Sequence, residues 1–220
     1  DSIDAWMSEK RPRDARERLL RRYFELAKDD PTSVPVDLTR GQISPFDNIF
    51  KKMASAIDYD WRLLASQGYV ESLFDSTRVS WAGARGIMQI MPSTARAYGA
   101  NPDSLADPTK SIHTATLILR DLNKSLSRLV KDPEERTKFI LGAYNSGLAH
   151  IYDAIALAEK LGYDPQVWDD NVAECLLLKA NPEYYNDPVC KFGYFRGRQT
   201  TTYVNHVMAF YTRCKQYIAE

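Results

Sequence analysis

Apolar residues recur at helical spacing through most of the 220-residue chain, and no alternating strand pattern of any length interrupts them. Ala15, Leu19, Tyr23 and Leu26 share one face of a helix predicted over residues 1–30, which Asp29-Asp30-Pro31 stops. Residues 31–45 hold Pro31, Pro35, Gly41 and Pro45 with little periodic apolar content, so they read as a linker and a compact domain is expected over 46–220. Helices are predicted over 46–57 and 60–72, with a loop or short hairpin around Gly83 and Gly86. Asp107-Pro108 and Asp132-Pro133 each set an acidic cap before proline at the first helical position. The helices they open run through Ile112, Ala115, Ile118 and Leu122, and through Phe139, Ile140 and Ala143, with Gly147 and Gly162 as helix stops. Tyr203, Val207, Phe210, Cys214 and Tyr217, spaced alternately four and three apart, predict the apolar face of a last helix, with Cys214 a buried free thiol. The pattern is that of a mainly α fold.

Charge narrows the partners without changing that picture. Lys and Arg balance Asp and Glu at 29 each, so no overall field favours nucleic acid or an anionic membrane. The basic run from Lys10 to Arg22 is interleaved with Asp14 and Glu17 and reads as a solvated helix face. No apolar run reaches the roughly 20 residues of a bilayer span. Cys175 and Cys190 flank a Pro- and Tyr-rich loop, and a disulfide between them is expected, which would stabilise the fold by roughly 3 kcal/mol. His113, His150 and His206 fall on separate predicted helices, and the acidic stretch 164–171 lacks a calcium-loop pattern, so no metal or cofactor is expected.

The candidate chemistry begins at Glu71. Its place at the end of a predicted helix opposes ionisation, and Val70, Leu73 and Phe74 could withhold water. Both effects raise a carboxyl pKa and suit a general acid for glycosidic cleavage. Asp75 is the one obvious second carboxylate. In the loop after the helix it is expected to cap backbone amides; facing the cleft instead, it would make the chain a lysozyme-type hydrolase.

Four motifs in order carry a resemblance over nearly the whole compact part: Tyr69-Val70-Glu71-Ser72; Gly86-Ile87-Met88-Gln89-Ile90-Met91-Pro92; Ala143-Tyr144-Asn145-Ser146-Gly147; and Tyr203-Val204. Together they resemble the family 1 lytic transglycosylases. Trp61-Arg62-Leu63-Leu64-Ala65, Ala149-His150 and Tyr194-Phe195-Arg196-Gly197 resemble the membrane-bound F group of that family. The resemblance implies a lysozyme-like fold of the soluble lytic transglycosylase type, with Glu71 as acid and then base. It also implies a substrate cleft formed by Ser72, Gly86, Met88, Gln89, Tyr144, Asn145 and Tyr203.

Residue chemistry is compatible with those roles. Gln89 and Asn145 carry amides that suit N-acetyl and hydroxyl groups, although turn capping is an alternative. Gly83 and Gly86 would let the backbone approach a sugar, or serve as turn residues. Tyr144 and Tyr203 could stack on a sugar or hydrogen-bond near the acid, and Ser72 could fix the acid, the sugar or only the helix end. The implied partner is the peptidoglycan glycan strand, acted on by a bacterial periplasmic protein that is outer-membrane-associated at full length and expected to be monomeric. Residues 1–30 would then be the remnant of an upstream solute-binding-type domain that senses a small ligand or muropeptide. The segment 164–197, with Trp168, Tyr184, Tyr185 and Tyr194, is expected to wall the subsites or dock that domain. A catalytically silent glycan-binding scaffold is the remaining alternative.

Overall fold

The computed structural model describes residues 36–219. The helix expected over 1–30 and the linker up to residue 35 lie outside them. The helices are α1 (Asp47–Ser55), α2 (Trp61–Ser72), α3 (Pro92–Ala97), α4 (Pro108–Leu126), α5 (Pro133–Ser146), α6 (Leu148–Leu161), α7 (Ala173–Leu178), α8 (Pro182–Tyr185) and α9 (Arg198–Tyr217). Acidic caps open α4 and α5 as the sequence predicts, and Asp60 does the same for α2. Asp60, Asp107 and Asp132 accept backbone N–H bonds from Arg62, Thr109 and Glu135, each at 2.8 Å, which satisfies donors that a helix start leaves open. Strand structure among the described residues is limited to two isolated antiparallel bridges, Val79 with Arg85 and Arg85 with Ile90, in the expected hairpin region.

Helix α2 runs through the centre of the domain, between α1 and α9, and every residue from Trp61 to Tyr69 is buried. Small residues permit this. A Cβ on Gly68 would stand 3.0 Å from the Phe50 ring and 3.2 Å from the Met88 sulfur, so the close approach of α1 and the 86–90 loop depends on that glycine. On the other side Tyr69 stacks on Phe210 of α9 at 4.2 Å. At the start of α2, Arg62 forks onto Asp60 and donates to the Ile218 carbonyl at 3.0 Å, while the Tyr211 hydroxyl donates to Asp60 at 2.7 Å. Both ends of α2 are thereby tied to the C-terminal half of α9.

Four expectations change. The segment 37–45, read as linker, is packed: Leu38 and Ile43 are buried, and the Asp47 carboxylate collects the Ile43 and Ser44 amides at 2.9 and 2.8 Å. Tyr217, placed on the apolar face of α9, is exposed at the helix end, while Cys214 in the same turn and Ile218 just after it are buried. Trp168 is no cleft wall. It is buried edge-on to Phe139 at 5.3 Å and fills the space beside Gly142, and the acidic stretch around it, read as a surface turn, holds a π-helical turn at Trp168–Val172. Cys175 and Cys190 are free thiols rather than a bridge. Cys175 is buried on α7 and Cys190 half-buried in the loop after α8, and burial, with Glu174 and Cys190 nearby, pushes the Cys175 thiol up to about 11.

Candidate active site

Glu71 occupies the last turn of α2, half-buried, and burial pushes its carboxyl up to about 8 against the downward pull of Tyr203 and of the Arg78 guanidinium. The helix ends immediately after it by a backbone reversal. Leu73 closes the helix in the left-handed region (φ 57°), donating its N–H to the Tyr69 carbonyl at 2.7 Å, and Phe74 follows at φ 64°. Left-handed non-glycine residues of this kind are strained, and Gln89 (φ 46°) makes a third around the same acid. The water-excluding roles expected of Leu73 and Phe74 divide: Leu73 is exposed, while Phe74 packs on Tyr69 and Phe50 at 5.5 and 6.2 Å.

The residues expected to line a cleft separate into those that build the wall and those that present groups from it. Ser72 is buried, its hydroxyl shared between the Gly68 carbonyl (3.1 Å) and the Ile87 carbonyl (2.9 Å), so it ties the acid's helix to the 86–90 loop. Gly86 is also buried. At φ 77° its missing Cβ would lie 2.0 Å from the Leu105 carbonyl oxygen, so its smallness serves the loop's packing on the Pro102–Ala106 turn, not a sugar. Met88 is fully buried; its carbonyl accepts from the Tyr144 hydroxyl at 2.8 Å. The backbone of Met88 thus links the second motif to the third.

Gln89 and Asn145 behave differently. The Gln89 amide nitrogen donates to the Arg78 and Gly86 carbonyls at 3.1 and 2.9 Å, which fixes the side chain's orientation and turns its oxygen the other way. Asn145 is exposed, and its oxygen accepts from Thr200 at 2.8 Å, leaving the NH₂ as the group it presents. The pair therefore offers one fixed acceptor and one fixed donor. Tyr203, on the first turns of α9, is buried, and its hydroxyl lies close enough to Glu71 and Gln67 to act on both while reaching good hydrogen-bond geometry with neither. Burial, with the charge of Glu71 nearby, raises Tyr144 and Tyr203 well above the ordinary phenol range, so both are neutral O–H groups beside the acid.

Asp75 is engaged within its own loop. One of its oxygens accepts from the Thr77 backbone at 2.9 Å and the Thr77 hydroxyl at 2.7 Å, bonds that hold the exposed carboxyl below its usual range. It caps the loop, as expected of an Asp in that place.

Three participants were not picked out from the sequence. Gln67 is fully buried one helical turn before Glu71, with no good hydrogen bond for its amide among the described residues. A lone amide in a run of apolar and small residues, four positions before an acid, is the signal that could have found it. Arg78 and Thr200 carry no such signal, because only the fold brings the hairpin and the start of α9 to the end of α2.

An acid at the end of a buried helix, beneath a reversed loop and facing two tyrosines, sits in a fold similar to that of the soluble lytic transglycosylases. The 70 kDa soluble lytic transglycosylase SLT70 of Escherichia coli superposes with a TM-score of 0.54 at 20% identity, over 81% of this chain and 25% of that one. An inactive mutant of lytic transglycosylase Slt from Pseudomonas aeruginosa gives 0.51 at 18% identity, over 78% and 24%. Residues 48–167, more than half of the chain, match the transglycosylase SLT domain, and the chain belongs to that family. It is similar to the membrane-bound lytic murein transglycosylases F of Maricaulis maris (38% identity over 165 residues, 75% of this chain) and Marinobacter nauticus (37% over 166 residues, 76%). The match spans about a third of the relatives' length, 35% and 32% respectively. Among the described residues no helix is long and apolar enough to cross a membrane.

Proposed function

We propose that this chain is the catalytic part of a peptidoglycan lytic transglycosylase, cleaving the β-1,4 bond between N-acetylmuramic acid and N-acetylglucosamine. The observation that carries the reading is the Glu71 carboxyl, pushed up to about 8 by burial, while Asp75, the next carboxylate along the chain, caps its own loop. At neutral pH Glu71 holds its proton and gives it to the glycosidic oxygen as the bond to C1 breaks. The oxocarbenium-like centre at C1 is met by the substrate's own N-acetyl group. Glu71, now ionised, takes the proton from the C6 hydroxyl, and O6 closes on C1 to give a 1,6-anhydro sugar. The proton lent in the first half is returned in the second, and no water enters the products.

The surrounding groups fit these two halves. Arg78 and Tyr203 both favour the ionised carboxyl, which steadies Glu71 after it has given up its proton. Gln89 offers an oxygen to an N–H or O–H of the sugar and Asn145 offers an N–H to a carbonyl or hydroxyl, which are the polar groups of an acetylated amino sugar. The names of the relatives support murein as substrate and a setting at the membrane, and the third of their length that the match spans leaves room for a further domain, which we propose regulates this one.

A lysozyme-type hydrolase requires a second carboxylate across the bond, about 5–9.5 Å from the first. Asp75 is held elsewhere by Thr77, which weakens that reading. Mass analysis of digested peptidoglycan decides: anhydro products, each lighter by one water than its hydrolytic counterpart, are expected, and products carrying an added water would overturn the proposal.

A further inference from the structure

Gln67 is a buried amide that the packing of the core does not explain. It is 0% exposed, in a stretch of α2 otherwise formed by Leu63, Leu64, Ala65, Ser66 and Gly68. Neither its oxygen nor its nitrogen makes a good hydrogen bond among the described residues. A buried amide without partners destabilises a fold, and a methionine or leucine would fill similar space with no polar atom left over.

Its position gives the amide a use. Residues four apart share one face of a helix, with Cβ atoms about 5–6 Å apart, so Gln67 and Glu71 lie on the same side of α2. Helix α9 packs against α2 and brings in Tyr203, whose buried hydroxyl is within reach of both side chains. The other groups acting on the acid are the Arg78 guanidinium from the hairpin and the Tyr144 phenol from α5. Of the two phenols, only one has its proton uncommitted. The Tyr144 hydroxyl donates to the Met88 carbonyl at 2.8 Å, whereas the Tyr203 proton has Glu71 or the Gln67 oxygen to choose between.

The amide decides that choice by which end it turns inward. A phenol that donates to a carboxylate keeps only lone pairs for its other neighbour, so the amide must then present its NH₂. With the amide oxygen inward instead, the phenol proton would be drawn away from the acid. Gln67 pulls the Tyr203 phenol down, as an N–H donor to its oxygen does, and Tyr203 in turn pulls the Glu71 carboxyl down. Both directions fit the first arrangement.

We propose that Gln67 is a positioning residue, whose amide N–H donates to the Tyr203 oxygen and so aims the Tyr203 proton at Glu71, steadying the carboxylate once the acid has given up its own proton. The proposal rests on the reading of Glu71 as acid and then base. Being fully buried, Gln67 acts through Tyr203 and not on the sugar.

The test follows the Glu71 carboxyl by carbon-detected NMR titration in the unaltered chain, Gln67→Met, Tyr203→Phe and the double variant. Gln67→Met keeps the side-chain length and removes the amide, and is expected to raise the Glu71 midpoint by about half a pH unit. Tyr203→Phe should raise it at least as far, and the double variant should match Tyr203→Phe alone. In turnover, Gln67→Met should lower kcat about three- to tenfold with KM within about twofold. An unmoved midpoint in Gln67→Met, whatever its Tm, or a shift of the same size with and without the Tyr203 hydroxyl, would overturn the assignment. Gln67→Leu repeats the comparison with a second apolar side chain should the methionine variant not fold. The NMR result stands apart from the transglycosylase reading, which fails separately if the unaltered chain releases no anhydro products.

Discussion

Two buried carboxyls show how the same residue chemistry is put to opposite uses. Asp153, on α6, is 1% exposed; it pairs with the fully buried Lys179 and accepts the Lys191 and Phe192 amides at 2.8 and 3.0 Å. Burial opposes its ionisation, but Lys179 and those two amides hold it below the usual carboxylate range. At Glu71, on the end of α2, burial outweighs the pull of Tyr203 and Arg78, and its pKa moves up instead. A buried acid whose bonds are complete fastens the 187–197 loop to α6 and α7; one whose bonds are incomplete is available for proton transfer. The Lys179 ammonium also reaches the His150 ring at 3.1 Å, and that ring stacks on Phe195 at 4.2 Å, so the fastening extends toward the start of α9.

Substitutions at the two sites should therefore fail in different ways. Glu71→Gln is expected to reduce turnover by about 10²–10⁴-fold with glycan affinity retained, since it is nearly isosteric and removes only the proton. Single-turnover cleavage and a binding titration separate the two quantities. Asp153→Ala should instead leave Lys179 buried and unpaired, lowering stability by roughly 3–5 kcal/mol in denaturant titration while the pH profile of the remaining folded enzyme is unmoved. If Asp153→Ala moved that profile, the contrast between the sites would break.

A smaller effect sharpens the contrast through pH. The folded chain keeps the Glu71 proton up to about pH 8, whereas the unfolded chain releases it near 4.5. Between those values the folded state binds more protons, so this group's contribution to stability falls as pH rises through the window. Glu71→Gln removes that dependence, and its Tm relative to the unaltered chain should climb from pH 4.5 to pH 8 and then level off. Ser72→Ala, which unties α2 from the Ile87 carbonyl, should cost about 1–3 kcal/mol and slow turnover several-fold. Asp75→Asn is expected to leave cleavage within about twofold, because the loop cap lies outside the proton path; steady-state kinetics on peptidoglycan reads both.

Much of the fold was legible because its punctuation is local. Asp-Pro pairs and Gly147 act within a turn of where they stand, and the helices they bound fall where the apolar spacing places them. Glu71, Gln89 and Asn145 stand out in the sequence for a different reason, their place in ordered motifs. What stayed hidden is long-range. Ser72, Gly86 and Met88 have the chemistry of cleft residues, but contacts with Ile87, Leu105 and Tyr144 bury them. The segment 164–197 looked like loop because α7 and α8 are too short to show a period, and Trp168 looked exposed because its partner Phe139 lies far away in sequence.

The central claim is that burial keeps Glu71 protonated at neutral pH, and its titration tests that most directly. Carbon-detected NMR of side-chain carboxyls, with the Glu71 signal assigned by its loss in Glu71→Gln, should show a midpoint near 8. A midpoint near the ordinary 4.5 would contradict the account, since Glu71 would then reach the substrate already ionised.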